Sequence, residues 1–229
     1  MGSFKLGSLQ RVFRAIPRTI GTKVKYSNIS RDHRAAQVKT AIDLLSKAKV
    51  CHPVYHSHCS GVPLLADIKE NVYKLIFMDI GMANHICGVD WRTISALHAV
   101  ELVNEGSLAE RFIGQHLFHG TREAPHLCYW LREARSSNAE VDYVISQGPS
   151  IYPVEVKAGK SGTLKSLQQF LLRHDARIAV RFDLNPPSMQ TVACTADTGK
   201  GLRGVNYDLL SLPLYMVEEL PRLLSGLDQ

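Results

Sequence analysis

Asp142, Glu155 and Lys157 set two acids and an amine close enough together to act on a substrate. They lie in the stretch 139–157, AEVDYVISQGPSIYPVEVK. A hairpin folded about Gly148 and Pro149 sets Asp142 opposite Glu155 and Glu140 opposite Lys157, because each pair shares a midpoint. Side chains alternate along a strand with period two, so all four point to one face, with opposed β-carbons about 4.5–5.5 Å apart. Two carboxylates that close repel unless a shared proton or a cation relieves them, and a hard divalent ion with oxygen ligands is one remedy. The Lys157 amine would then steer or activate a water. The same charges also suit a cross-strand salt bridge from Glu140 or Asp142 to Lys157, which contributes about 0–1 kcal/mol when exposed. Spacing alone leaves both readings open.

The elements that must position these residues are legible around them. Val141, Tyr143, Val144 and Ile145, then Ile151, Tyr152, Val154 and Val156, are β-branched or aromatic runs broken by Gly148-Pro149. Strand patterns are expected at 127–134, 139–146 and 150–158, a helix at about 163–174, strands near 177–183 and 190–195, and a closing helix at about 214–226. Ahead of them, a helical pattern runs from Trp91 to Leu102, breaks at Asn104-Glu105-Gly106 and resumes from Ser107 to Phe118, with Leu108, Phe112 and Leu117 toward a core and Glu110 on the same helix.

The amino-terminal part reads differently. Ala35, Val38, Ile42 and Leu45 recur at helical steps within 31–49, with Ser30 or Asp32 as the expected cap. A shorter helix spans Leu9 to Ile20 and ends near Pro17. Val50–His56 and Val62–Ile68 read as two strands joined across Ser60-Gly61, and short helices followed by a hairpin are the make-up of a winged helix. The expected organisation is an α/β chain with three parts: a winged-helix-like basic module at 1–72, a connecting strand or hinge at 73–90, and a second domain at 91–229.

Charge supports that division. Of a net +6 over 229 residues, positions 1–50 carry eleven basic residues against Asp32 and Asp43, a balance of +9, which leaves the remainder at −3. A basic module on a slightly acidic remainder suggests an anionic partner, DNA before a membrane. No apolar run approaches the roughly 18–20 residues of a membrane span, and no signal-peptide pattern opens the chain, so a cytoplasmic setting is expected. Five scattered cysteines without CxxC pairs fit reduced thiols. In CHPVYHSHC, His52, His56 and His58 share a strand face between Cys51 and Cys59. Zinc ligands usually come from separate knuckles or a helix, which argues against a site there.

The order helix, three strands, helix, strand, with an Asp on the second strand and Glu-x-Lys on the third, resembles the restriction-endonuclease-like PD-(D/E)xK superfamily. More narrowly, the chain resembles the carboxy-terminal part of prokaryotic AAA-type P-loop ATPases that carry the domain of unknown function 4143. The matching segments are RVFRAIP, AIDLLSKAKVCHPV, YKLIFMDIGMANHICGV, GSLAERFIGQHL, EVDYVI and PVEVKAG, and they run in order from about residue 10 to about 220.

The resemblance implies a central mixed sheet in an αβββαβ domain. It implies catalytic roles for Glu110, Asp142, Glu155 and Lys157, with Mg2+ (or Mn2+) held by Asp142 and Glu155. Gln168 or Gln169 falls where some relatives place a supporting polar residue. It also implies an ATPase domain of the same family as a partner. The phosphate-binding G-x-x-x-x-G-K-[ST] loop is missing, since Thr198-Gly199-Lys200-Gly201 lacks the earlier glycine and the following hydroxyl, so no ATP site is expected in this chain. Two functions are consistent with these residues: a DNA-associated nuclease, or a catalytically inactive module that docks DNA or the ATPase domain.

Overall fold

The computed structural model describes residues 6–19, 21–89, 92, 105–120, 127–132, 138–159, 162–198 and 201–227. The helix expected from Trp91 to Leu102 lies outside them, apart from Arg92. The described residues form a mixed α/β chain with seven α-helices and an eight-stranded mixed sheet, as the sequence predicts. They divide into two units: Met1–Val54 with Asn71–Arg111, and Tyr55–Glu70 with Phe112–Gln229.

In the first unit, α1 (Leu6–Thr19) and α3 (Ala35–Lys47) pack through residues at three- and four-residue steps, Val12 and Ile16 against Val38, Ala41, Ile42 and Leu45, with α2 (Tyr26–Ile29) beside them. Pro17 sits two residues before the end of α1, where it removes one i→i−4 hydrogen bond and limits how far the helix continues. Helix α3 is capped otherwise than expected. Arg34 precedes it, and the Gln37 side chain accepts the Arg34 N–H at 3.1 Å. Ser30 instead bonds the His33 ring at 2.8 Å, and Asp32 pairs with Arg11.

Strand β1 (Cys51–Ser57) is followed by a 3-10 turn at Leu64–Asp67, and β2 runs from Ile68 to Phe77. The second strand expected at Val62–Ile68 therefore starts where that prediction ended. Nor is the β1–β2 pair a free wing, because Tyr55 and His56 of β1 pair in parallel with Cys128 and Tyr129. Asp79 caps α4 (Ile80–Ile86) by accepting the Met82 N–H at 2.6 Å.

The second unit is built on a meander and a crossover. Helix α5 (Glu105–His119) buries Ile113 and Leu117, and it leads to β3 (Cys128–Arg132), β4 (Ala139–Gln147) and β5 (Ser150–Val156), each antiparallel to the one before. Gly148, with φ of 56°, opens the two-residue loop between β4 and β5, a backbone position that suits glycine. Helix α6 (Lys165–Leu171) crosses to β6 (Ile178–Asp183), parallel to β5. Strand β8 (Leu202–Pro213) lies between β6 and β7 (Ser188–Asp197), and a 3-10 turn at Leu214–Glu219 leads into α7 (Leu220–Leu227).

The sheet curls around α6. Arg132 of β3 and the Asp197 carbonyl of β7 both bond the Gln169 side chain, although three strands separate β3 from β8 and β7 lies beyond it. Leu167, Phe170 and Leu171 fill the resulting core with Trp130, Val141, Val144, Ile151, Ala179, Tyr207 and Leu209. The Trp130 and Phe170 rings meet edge to face at 5.5 Å.

Candidate functional site

The β4–β5 register follows the shared midpoint, from Gln147↔Ser150 to Tyr143↔Val154. The paired register ends there, one step short of Asp142 and Glu155. There the Asp142 carboxylate takes over an acceptor role from the backbone: its Oδ2 accepts the Val156 N–H at 2.8 Å. The next amide, Lys157 N–H, donates to the Phe182 carbonyl at 2.8 Å, so β5 is held on both sides at this point. The backbone thus fixes Asp142 and the Glu155–Lys157 pair relative to each other.

Glu155 is buried, 5% exposed, and the Lys157 ammonium lies 2.5 Å from its Oε1. The pairing is along one strand, Lys157 to Glu155, rather than across to Glu140 or Asp142 as the salt-bridge reading had it. Gly162 passes so close over Lys157 that a β-carbon there would sit 2.9 Å from the lysine Cδ, which confines the aliphatic stem.

Two further charged residues escaped the sequence reading. Arg181 is the register partner of Glu155 on β6, and Ser211 is the partner of Arg181 on β8. Asp183, two residues on and 1% exposed, is ion-paired with Arg181 at an N···O distance of 2.8 Å and accepts the Asn185 N–H at 2.8 Å. Glu155, Arg181 and Ser211 therefore form one polar row across three strands, flanked by Lys157 and Asp183. The only sequence signal was Arg-x-Asp at strand period, which reads equally well as an exposed edge.

Glu110 belongs to the first unit. Its Oε1 receives the Lys74 ammonium at 2.9 Å, and Lys74 is itself buried. Gln169, offered as a supporting residue, is the acceptor for two arginines. Gln168 lies on the same helix, and burial pushes the pKa of the neighbouring Tyr207 hydroxyl up.

The donor set at Asp142 and Glu155 consists of carboxylate oxygens, the type that suits Mg2+. No group of three or more His, Cys, Asp or Glu able to hold a metal occurs among the described residues. Mg2+ is commonly held by one or two carboxylates with water and substrate phosphate completing its shell, so two carboxylates fit that ion, whereas a closed zinc cage needs more. In the histidine run, His56 is buried and accepts the Leu131 N–H at 3.3 Å, while His58 is exposed.

In the first unit, Arg11, Arg14 and Arg18 line a shallow groove along α1 with Gln10 and Ile29. No helix of the described residues is long and apolar enough to cross a membrane.

Residues 105–213 match a family described as Domain of unknown function (DUF4143), and residues 3–93 match one described as Domain of unknown function (DUF8612). No curated protein matches the chain. Among solved structures, the crystal structure of protein VC1899 from Vibrio cholerae is similar at 12% identity and a TM-score of 0.28, over 96% of this chain and 50% of that one. The chain thus spans half the length of that protein, and a likeness of this degree carries no argument about fold or function.

Proposed function

We propose that the second unit is a Mg2+-dependent phosphodiester hydrolase of the restriction-endonuclease-like, PD-(D/E)xK type, acting on DNA in the cytoplasm in association with an AAA-type ATPase domain. The observation that carries the reading is the Lys157 ammonium, 2.5 Å from Glu155 on the strand next to Asp142. The meander β3–β4–β5, followed by the α6 crossover to a parallel β6, supports it. The arginine face of α1 supports an anionic polymer as partner.

Asp142 and Glu155 would hold Mg2+, which supplies Lewis-acid polarisation of the scissile phosphate when bound. Asp142 is oriented for this by the Val156 amide. Lys157 donates a hydrogen bond to the attacking water and keeps positive charge beside the phosphoryl oxygens as negative charge develops there. Water oxygen bonds to phosphorus, the ester P–O bond breaks, and the leaving oxygen takes a proton. The products are a phosphate monoester and a hydroxyl. Glu110, in the first unit, has its charge engaged by Lys74.

The buried Glu155–Lys157 pair also favours a second reading, in which the fold persists without the reaction and docks DNA or the ATPase domain. Plasmid and single-stranded substrates incubated with Mg2+ or Mn2+ separate the two. Cleavage by the wild type, reduced at least about a hundredfold in Asp142→Asn and Lys157→Met, supports the hydrolase. Equal rates in wild type and variants, or no cleavage with either ion, overturn it.

A further inference from the structure

Arg132 and Arg173 converge on one neutral oxygen. Arg173 Nη1 lies 2.9 Å from Gln169 Oε1 and 2.7 Å from the Gln169 carbonyl, and Arg132 Nη1 bonds the same Oε1 from β3. Neither guanidinium is paired with a carboxylate among the described residues. An amide oxygen satisfies a donor but cancels no charge, so two positive groups are gathered around an acceptor that leaves both uncompensated. Burial, and then the charge of Arg132, lower the proton affinity of Arg173. An oxyanion with several acceptor atoms would answer both planar forks at once.

The space for one is present. Arg132 and Gln169, though not Arg173, line a groove of about 380 Å³ with Asn138, Lys165 and Gln168, and Asp197 is the one acidic residue among its described lining residues. The Asp197 carbonyl accepts from Gln169 Nε2 at 2.7 Å, which holds the amide in the orientation that presents Oε1 to the arginines. The groove adjoins the strand that carries Asp142: Arg132 pairs with Ala139, Leu131 pairs with Glu140, and the Glu140 N–H donates to Ser166 Oγ at 3.3 Å. From Glu140 to Asp142 is two residues of strand, about 7 Å.

We propose that Arg132 and Arg173, set by Gln169, form a phosphate-binding site in the second unit that grips the backbone of a nucleic-acid strand beside the reacting position. That the phosphate belongs to a polynucleotide rests on the hydrolase reading. That the site takes a phosphate oxyanion rests on the arginines alone. Sequence specificity is not its task, because phosphate contacts position a strand without reading it.

The test is Gln169→Glu. The carboxylate keeps the shape of the amide, offsets one of the two positive charges and occupies the place of the anion, at the loss of the Nε2 donor to the Asp197 carbonyl. Fluorescence anisotropy with a labelled single-stranded oligonucleotide, run over a salt series without divalent ions, should show affinity falling at least about tenfold in Gln169→Glu and in Arg132→Gln/Arg173→Gln. The slope of log K against log salt should become shallower by roughly 1 to 2. Arg132→Lys should recover part of the loss, and inorganic phosphate should compete at millimolar concentration in the wild type alone. Unchanged affinity and slope in Gln169→Glu, with a native melting curve, overturn the site. Phosphate binding that the variants abolish, together with oligonucleotide affinity that they leave unchanged, overturns its assignment to a polynucleotide. Wild-type cleavage, assayed in parallel with Mg2+, reports on the hydrolase separately: its failure alongside intact arginine-dependent binding rejects the reaction while the site stands.

Discussion

Lys74 and Glu110 form an ion pair of 2.9 Å in which the lysine side chain is 3% exposed and the glutamate 14%. Such a pair compensates its desolvation only while both members are present. Lys74→Met should destabilise the protein by about 3–5 kcal/mol in urea unfolding, because it strands a carboxylate away from water. The double variant Lys74→Met/Glu110→Leu should regain most of that loss. The same contact bears on activity: any effect of Glu110→Gln on cleavage has to be read beside its melting temperature.

Gly162 gives a way to move Lys157 without altering it. A β-carbon at 162 would press on Lys157 Cδ at 2.9 Å, and the flexible stem would give way. Under the hydrolase reading, Gly162→Ala should lower kcat about tenfold with KM little changed, since the ammonium acts on the reaction more than on substrate binding. Steady-state kinetics on a short oligonucleotide checks this. A glycine that served only the loop would leave both constants alone.

His174 sets a limit on acid stability. Burial, and then the neighbouring Arg173 charge, depress its pKa to about 4. Its ring packs 4.2 Å from Phe170 and 5.8 Å from Trp130. The folded state therefore prefers the neutral ring, and the unfolded chain takes up a proton first as pH falls through the ordinary histidine range. Its contribution is fully present above about pH 6.5 and is lost progressively down to about pH 4. Urea midpoints measured across that window should fall more steeply in the wild type than in His174→Gln.

Thiol reactivity should follow burial. Cys59 and Cys128 are buried, and burial pushes both thiols up to about 12, so thiolate is scarce at neutral pH. Cys87 is exposed. In the native protein an aromatic disulfide reagent should modify Cys87 first. Cys59 and Cys128 should react only in denaturant, as peptide mapping would show.

Much of the second unit was legible because its signals are local. The β4–β5 hairpin declares itself through two β-branched runs and Gly148-Pro149, and its register followed from the midpoint. Strand β8 went unread because Gly204, Asn206 and Asp208 interrupt its outward face, while Val205, Tyr207 and Leu209 alternate inward with no local cue to a partner. In α5, Leu108 and Phe112 are only partly buried and Ile113 goes to the core, a one-step rotation that propensity does not fix. The pairing of Tyr55 with Cys128 spans over seventy residues and has no signature in either segment, so the boundary drawn near residue 72 had nothing to warn against it. At the candidate site, types and spacing brought Asp142, Glu155 and Lys157 forward. Arg181, Asp183 and the Arg132–Arg173 pair depend on which strands become neighbours, which only the folded chain decides.

Because β8 lies between β6 and β7, synthesis leaves those two strands without their common neighbour until nearly the whole chain has been made. A nascent polypeptide still attached to the ribosome at β7 carries two open edges, each able to recruit a foreign strand. Closure waits for Pro213 to clear the exit tunnel, and premature termination anywhere from 198 to 213 should yield aggregates instead of a shortened folded domain.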